Sequence, residues 1–183
     1  MRPLRHHLRQ ETEAAHLALH RHPGFAAIES GEIVPQDHDQ LMARVGGFYA
    51  ILDPLASAAS KVLGDHLAGY RYRPRAALFP NKAEKQIHVP DLATPAELAG
   101  AVYVVDGAVL GGQILARAFG DQALHPYWQW CCHHGPAVWR TTKALLEHVD
   151  TDTAARDEAT ETALRVFKAF SEAIDGAFDK AEV

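Results

Sequence analysis

His16, near the N-terminus, is the residue best suited to bind a metal. It lies on the apolar side of a helical pattern, and a neutral imidazole can ligate a metal ion through one ring nitrogen. A core histidine with a satisfied hydrogen bond is the plainer alternative. His20 lies one helical turn further on, but no glutamate or aspartate between the two histidines completes the set found in zinc helices. Arg9, two turns before His16 on nearly the same face, could pair with an anion beside the bound group.

Three glycines interrupt an otherwise strong helical pattern between Ala101 and Arg117. Each glycine inside a helix costs about 1 kcal/mol relative to alanine, so some other interaction must offset that cost. Tyr103, Gly107 and Gly111 are four residues apart and therefore share one face. The bare backbone on that face could let a large flat group approach closely, or it could let another helix pack against it. The pair Gly111 and Gly112 also allows the helix to bend.

The chain has 12 histidines and only two cysteines, which are adjacent. The run Cys131-Cys132-His133-His134 has metal-binding residue types, but four consecutive residues of a helix cannot all face one ion. We therefore interpret the run as a turn before Pro136. Adjacent cysteines form a strained disulfide, and a secreted scaffold has more cysteines at wider spacing. Reduced thiols and a cytoplasmic location are expected.

Helical periodicity dominates the chain, and no run alternates cleanly between apolar and polar residues. The sequence therefore predicts an all-α fold, with one domain covering residues 1–183. Thr94, Pro95 and Glu97 have the residue types of a helix start. The region from Tyr70 to Pro90 is interpreted mainly as irregular connection. The predicted helices run from Leu4 to about His20, from Pro35 to about Leu67 with a kink at Asp53-Pro54, from Pro95 to about Phe119, from Pro136 to His148 and from Asp152 to Phe178.

Composition and charge are those of an ordinary globular protein. Of 183 residues, 48% are hydrophobic and 22% are charged, with a formal net charge of -5. The 18 basic and 23 acidic residues are spread along the chain, so no basic run predicts nucleic-acid binding. The N-terminus has no signal-peptide pattern, and no stretch approaches the roughly 20 apolar residues of a membrane-spanning helix. We expect neither nucleic acid nor a membrane as a partner.

Two of these segments together resemble the haem oxygenase family, especially its bacterial, biliverdin-producing branch. The segment Leu8-Arg9-Gln-Glu-Thr12-Glu-Ala-Ala-His16 is similar to the proximal helix of that family. The segment from Tyr103 to Gly112 is similar to its distal helix. Their order, the interval between them and the chain length also fit, so the resemblance covers most of the chain.

The resemblance implies a helical bundle that holds haem between the first helix and a kinked distal helix. His16 would be the axial iron ligand, and Arg9 would meet a haem propionate. Gly107 and Gly111 would be the catalytic positions, because their bare backbone lets the distal helix lie against the haem. Further propionate contacts in the family come from the last helix, where the candidates are Arg165 and Lys168. The complete implied haem-binding set is Arg9, Thr12, His16, Tyr103, Gly107, Ala108 and Gly111.

The implied reaction is cleavage of haem to biliverdin, CO and free iron, with O2 as oxidant and haem as both cofactor and substrate. The electron donor would be a ferredoxin or an NAD(P)H-dependent reductase. Animal members of the family have an aspartate directly after the first distal glycine, where this chain has Ala108. Asp106 is about 200° away around a helix and cannot simply replace it. Other bacterial members also lack that aspartate, so Ala108 is interpreted as a feature of the branch.

Three other interpretations remain open from the residues alone. A haem carrier, store or sensor would keep the pocket without cleaving the ring, and Ala108 favours it. A helical enzyme on a similar scaffold could bind a small organic substrate or two irons. A di-iron site needs several inward-facing glutamates and two Glu-x-x-His pairs, and the sequence contains one such spacing, from Glu13 to His16. A plain interaction module would use the glycines for helix packing only.

Overall fold

The computed structural model describes residues 2–118 and 125–176, and these contain seven α-helices and no β-strand. The expected all-α fold is confirmed for this part of the chain. Two short 3-10 helices, Gly64–Leu67 and Ala76–Leu78, lie in the connection between the fourth and fifth α-helices. The α-helices are α1 (Leu4–Glu11), α2 (Glu13–His20), α3 (Pro23–Glu29), α4 (Pro35–Leu63), α5 (Pro95–Ala118), α6 (Pro126–Val149) and α7 (Thr153–Ile174).

Helix α5 is the centre of the fold and packs chiefly against α6 and α7. It remains helical through Gly107, Gly111 and Gly112, so these glycines do not interrupt it. Among the described helices, α5 alone is long and apolar enough to cross a membrane, with a mean hydropathy of 1.6 in the most apolar 18-residue window of Pro95–Arg117. The expectation that no segment reaches that length was wrong. A helix surrounded by other helices is apolar on most of its circumference, and 56% of its most apolar window is buried inside the fold.

Two helix starts form as their residue types predict. The Thr94 hydroxyl accepts a hydrogen bond from the Glu97 backbone N–H at 3.1 Å, and the Glu97 carboxylate accepts one from the Thr94 N–H at 3.0 Å. This reciprocal pair is a capping box at the start of α5. At the start of α7, the Asp152 carboxylate accepts from the Ala155 N–H at 2.9 Å. Both caps satisfy backbone donors that have no partner inside the helix.

The N-terminal segment forms three short helices, whereas the sequence predicted one helix and a break. Thr12 separates α1 from α2, and its hydroxyl donates back to the Leu8 carbonyl at 2.7 Å. Such back-bonding competes with regular helix geometry. After α2, Pro23 begins α3, where the chain was expected to be irregular. The His22 ring caps this helix by accepting from the Gly24 N–H at 3.2 Å.

Two helices contain an internal proline, and only Pro136 was predicted to be a helix boundary. Helix α4 continues through Pro54, and α6 begins at Pro126 and continues through Pro136. The turn predicted at Cys131-Cys132-His133-His134 is therefore wrong, because these residues belong to α6. Within the described residues, no three His, Cys, Asp or Glu side chains group closely enough to hold a metal ion. The predicted ends of two helices, at Phe119 and Phe178, lie outside the described residues.

Candidate functional site

The glycines of α5 have two different kinds of surroundings. The atoms that a Cβ would meet, if one were added to each glycine, distinguish them. A Cβ on Gly112 would lie 2.7 Å from the Cys131 Sγ, and one on Gly100 would lie 2.1 Å from the Ala159 carbonyl oxygen. Those two glycines let α6 and α7 pack closely against α5. A Cβ on Gly111, in contrast, would meet no atom within 4 Å. Close helix packing therefore accounts for Gly100 and Gly112 and leaves Gly111 without a packing role.

Gly107 shares the open face with Gly111. A Cβ on Gly107 would meet only the Trp139 ring, at 3.8 Å, which is ordinary van der Waals contact. Ala108 beside it is exposed, and so is Ile114, whose exposed fraction is 66%. The predicted face of bare backbone thus exists and is accessible from outside. A Cβ atom could be added at either glycine without displacing another helix.

Tyr103 connects this face to the N-terminal helices. Its ring lies 6.1 Å from the Trp139 ring, centroid to centroid. Burial raises the pKa of Tyr103, while a hydrogen bond with the Thr12 side chain and the positive charge of Arg9 lower it in part. The N-terminal segment therefore interacts with α5 at Tyr103, through a hydrogen bond of Thr12 and through the charge of Arg9.

The His16 side chain lies on α2 and reaches solvent. Its ring contacts those of His20 and Phe167, with centroid distances of 4.7 and 6.4 Å. Partial burial lowers the pKa of His16, and the neighbouring His20 and Arg9 lower it further. The imidazole is therefore neutral at pH 7, which leaves a ring nitrogen with a lone pair for a metal.

His20 is less suited to bind a metal than His16. Its Nδ1 lies 2.8 Å from the Glu29 Oε1, so this ring nitrogen is bound to a carboxylate on α3. The positions of the two rings do not require a metal ion shared between His16 and His20. Of the two candidates on α2, His16 is the available ligand.

Three basic side chains are candidates to bind the anionic groups of a ligand, and all three lie on the surface: Arg9, Arg165 and Lys168. Arg9 is exposed and lines a shallow groove of about 370 Å³ together with Arg2, His6, Gln10 and Glu13. Arg165 lies 3.4 Å from the His88 ring nitrogen, and Lys168 pairs with Glu172 at 3.7 Å. Arg9 also acts electrostatically on Tyr103. All three side chains remain predictions as partners of an anionic ligand.

A buried polar network behind α5 was not predicted from the sequence. Its centre is an ion pair between Arg75 and Asp106, both with fully buried side chains. The Asp106 carboxylate also accepts hydrogen bonds from Tyr70 Oη at 2.8 Å and Thr142 Oγ1 at 2.6 Å. Arg75 comes from the connection that the sequence indicated as irregular. An arginine in a loop is usually on the surface, so nothing in the local pattern marks it as buried.

A second buried carboxylate, Asp53 on α4, binds the connection between α4 and α5 to the core. It accepts hydrogen bonds from the backbone N–H groups of Arg75 and Ala76, both at 2.6 Å. The Tyr72 hydroxyl donates to the same carboxylate at 2.6 Å. Burial and then the negative Asp53 raise the pKa of Tyr72, partly opposed by Arg75, so this phenol stays protonated. Asp53 beside Pro54 is therefore a structural residue in an unbroken helix.

These positions can be compared with known proteins. Nothing matches: no protein-family model, no curated protein and no solved structure matches this chain. The resemblance to haem oxygenases therefore rests on the two sequence motifs. The structure gives their residues separate properties: an open glycine face on α5, an exposed histidine with a lowered pKa on α2, and an electrostatic effect of Arg9 on Tyr103.

Proposed function

We propose that this protein is a haem oxygenase that cleaves haem to biliverdin, CO and free iron. The observation that supports this most is the accessible pair Gly107 and Gly111. Both glycines lie inside a helix, where each lowers stability by about 1 kcal/mol relative to alanine. Neither lies so close to a neighbouring residue that an added Cβ atom would clash with it. A flat ligand on that face gives both glycines a purpose.

The residues present fit haem. His16 has an accessible neutral ring for the axial iron position, and imidazole is a common haem ligand. Arg9 is a cation that could pair with a propionate beside Thr12 and Tyr103. Gly107 and Gly111 leave room for the porphyrin plane against α5. The small Ala108 side chain adds no bulk at this face.

When bound, haem would supply the O2-binding iron and would itself be the group that is oxidised. His16 would hold the iron, and Gly107 and Gly111 would let the ring lie against the backbone of α5. The oxidant is O2, and the electrons would come from a ferredoxin or an NAD(P)H-dependent reductase. We also propose a cytoplasmic location, with neither nucleic acid nor membrane as a partner.

The second candidate is a haem carrier or sensor, and one observation favours it. Ala108 is exposed and cannot order water, while Asp106 is completely buried and bound to Arg75, Tyr70 and Thr142. No carboxylate from this part of α5 is therefore free to deliver protons at the open face. A protein that binds haem without cleaving it would show this arrangement too.

Titration with haemin, followed by ascorbate in air, separates the two candidates. The oxygenase gives a haem absorption band on binding, which then decays as biliverdin forms. A carrier gives the band without its decay, and a protein that fails to take up haem contradicts both proposals. Catalase is included in the assay so that free hydrogen peroxide cannot degrade the haem.

A further inference from the structure

The ion pair behind α5 is bound from three directions. Asp106 accepts hydrogen bonds from Tyr70 and Arg75, which come from the connection before α5, and from Thr142 on α6. Asp106 directly precedes Gly107 in the chain. Consecutive residues of a helix are about 100° apart around its axis, so the direction of the Asp106 side chain fixes the direction in which Gly107 faces.

Aromatic rings enclose the cation of this pair. The Arg75 guanidinium carbon lies 5.1 Å from the centroid of Trp130, 5.4 Å from that of Tyr72 and 5.6 Å from that of Tyr49. Such distances allow cation–π attraction, which a guanidinium makes readily. Its Nε and Nη1 have no protein partner within the described residues. The rings therefore hold the guanidinium in place while a single nitrogen binds the carboxylate.

A buried ion pair of this kind is a poor means of gaining stability. Desolvation of both charges offsets most of their attraction, and apolar pairs of similar volume often stabilise a protein equally well. A buried pair instead fixes an orientation, because a carboxylate that accepts hydrogen bonds from three donors is held in a single direction. The most direct consequence of this network is a fixed rotation of α5 about its axis.

We propose that Arg75 and Asp106 are positioning residues that hold the Gly107–Gly111 face of α5 towards its ligand. This inference rests on the proposed haem oxygenase function for the identity of that ligand. Neither residue touches the open face, because both are completely buried. Their effect on the reaction is through the placement of the backbone. Loss of the pair lets α5 turn, so the haem ring meets it at a different angle.

The test begins without haem, by hydrogen exchange of the protein. Asp106→Asn keeps the shape of the side chain but leaves the Arg75 charge without its partner. Exchange of the α5 amides should accelerate about tenfold relative to those of α4, which corresponds to about 1.4 kcal/mol. Arg156→Met is the matched control, because it removes another buried arginine, on α7, whose partner is Asp150. In the control the α5 amides should not accelerate relative to those of α4. Equal acceleration of the α5 amides in both variants overturns the anchoring role.

The second step uses the isomers of biliverdin, which report where the haem edge lies. The double variant Arg75→Met/Asp106→Leu removes both charges, so it is expected to fold even if a single variant does not. Positioning predicts an altered isomer ratio in this variant, and an unchanged ratio in Arg156→Met. A double variant with the wild-type ratio overturns the proposal. If the wild-type protein takes up no haem, the proposed function fails, while hydrogen exchange still decides whether the pair anchors α5.

Discussion

At the scale of single residues, the two histidines of α2 differ in what their ring nitrogens can do. The His20 Nδ1 is bound to Glu29 at 2.8 Å, whereas the His16 ring contacts the rings of His20 and Phe167 and has a lowered pKa caused first by burial. A metal ligand must be deprotonated and accessible. His16 meets both conditions, and the sequence motif that resembles a proximal helix ends at this residue.

Substitution of each histidine by alanine tests this assignment. His16→Ala should fold, because the side chain is exposed, but its complex with haemin should lose the absorption spectrum of an imidazole-ligated iron. His20→Ala is the matched control one turn away, and it should keep that spectrum. The measurement is visible absorption, with turnover in ascorbate as a second readout. The assignment is wrong if the haemin complex of His16→Ala keeps the imidazole-ligated spectrum and that of His20→Ala loses it.

At the scale of one helix, α5 contains adjacent glycines with opposite surroundings, and this gives a prediction that needs no ligand. Gly111→Ala should leave stability unchanged or raise it by up to about 1 kcal/mol, since alanine is the better helix former. Gly112→Ala should lower stability by about 1–3 kcal/mol, because its Cβ would lie 2.7 Å from the Cys131 Sγ. Urea unfolding followed by circular dichroism measures both.

The functional counterpart is Gly111→Leu. Because a Cβ at this position meets no atom within 4 Å, the larger side chain should leave the helix folded and occupy the space that haem needs. Haemin affinity or turnover should fall far more than helicity does. A variant that folds normally and degrades haem at the wild-type rate shows that the ligand does not bind this face.

Helix α6 begins with a histidine cap that depends on pH. The His125 Nδ1 accepts a hydrogen bond from the Tyr127 N–H at 3.1 Å, which requires an unprotonated nitrogen. Burial, then the nearby His38, lowers the pKa of His125 to about 4, against a small opposing effect of Asp39. The folded state thus binds fewer protons than the unfolded state between about pH 4 and the ordinary histidine pKa of 6.5.

Stability should therefore fall as the pH decreases through that window and should level off below it. His125→Asn keeps a side-chain acceptor at the cap but cannot titrate, so this variant should lose the part of the pH dependence that belongs to His125. Urea midpoints at pH 4.5 and pH 7 measure the difference, with His133→Asn, an exposed site on the same helix, as the control. Equal pH dependence in wild type and His125→Asn contradicts the assignment.

Local chemistry explains which helices the sequence could predict. The capping box at Thr94 and Glu97 and the Asp152 cap are short-range features, and both formed as expected. Pro136 was misread as a helix start because a proline inside a helix is tolerated where packing outweighs the lost hydrogen bond, and packing cannot be seen locally. The same limit applies to the glycines: spacing placed Gly107 and Gly111 on one face, but only the neighbours show that this face is open.

At the scale of the whole molecule, the candidate site joins elements of very different stability. Helices α5 and α7 contain many fully buried residues, among them Leu98, Val102 and Val166. Helix α2, which carries His16, has no buried residue. It is attached through partly buried side chains such as Ala15 and Leu19. Segments with little buried apolar surface open at low free energy, so α2 should be less stable than α7 in the ligand-free protein.

This difference predicts how haem should change the protein. A ligand that binds only the folded state stabilises it by about 2.7 kcal/mol at one hundred times its dissociation constant. If His16 holds the iron, protection of amides by haemin should be largest in α2, where the free protein opens most easily, and small in α7. Hydrogen exchange with and without haemin measures it segment by segment, and His16→Ala should lose the α2 protection while keeping α7 unchanged. Protection spread equally over all helices, or confined to α7, would place the ligand elsewhere on the molecule.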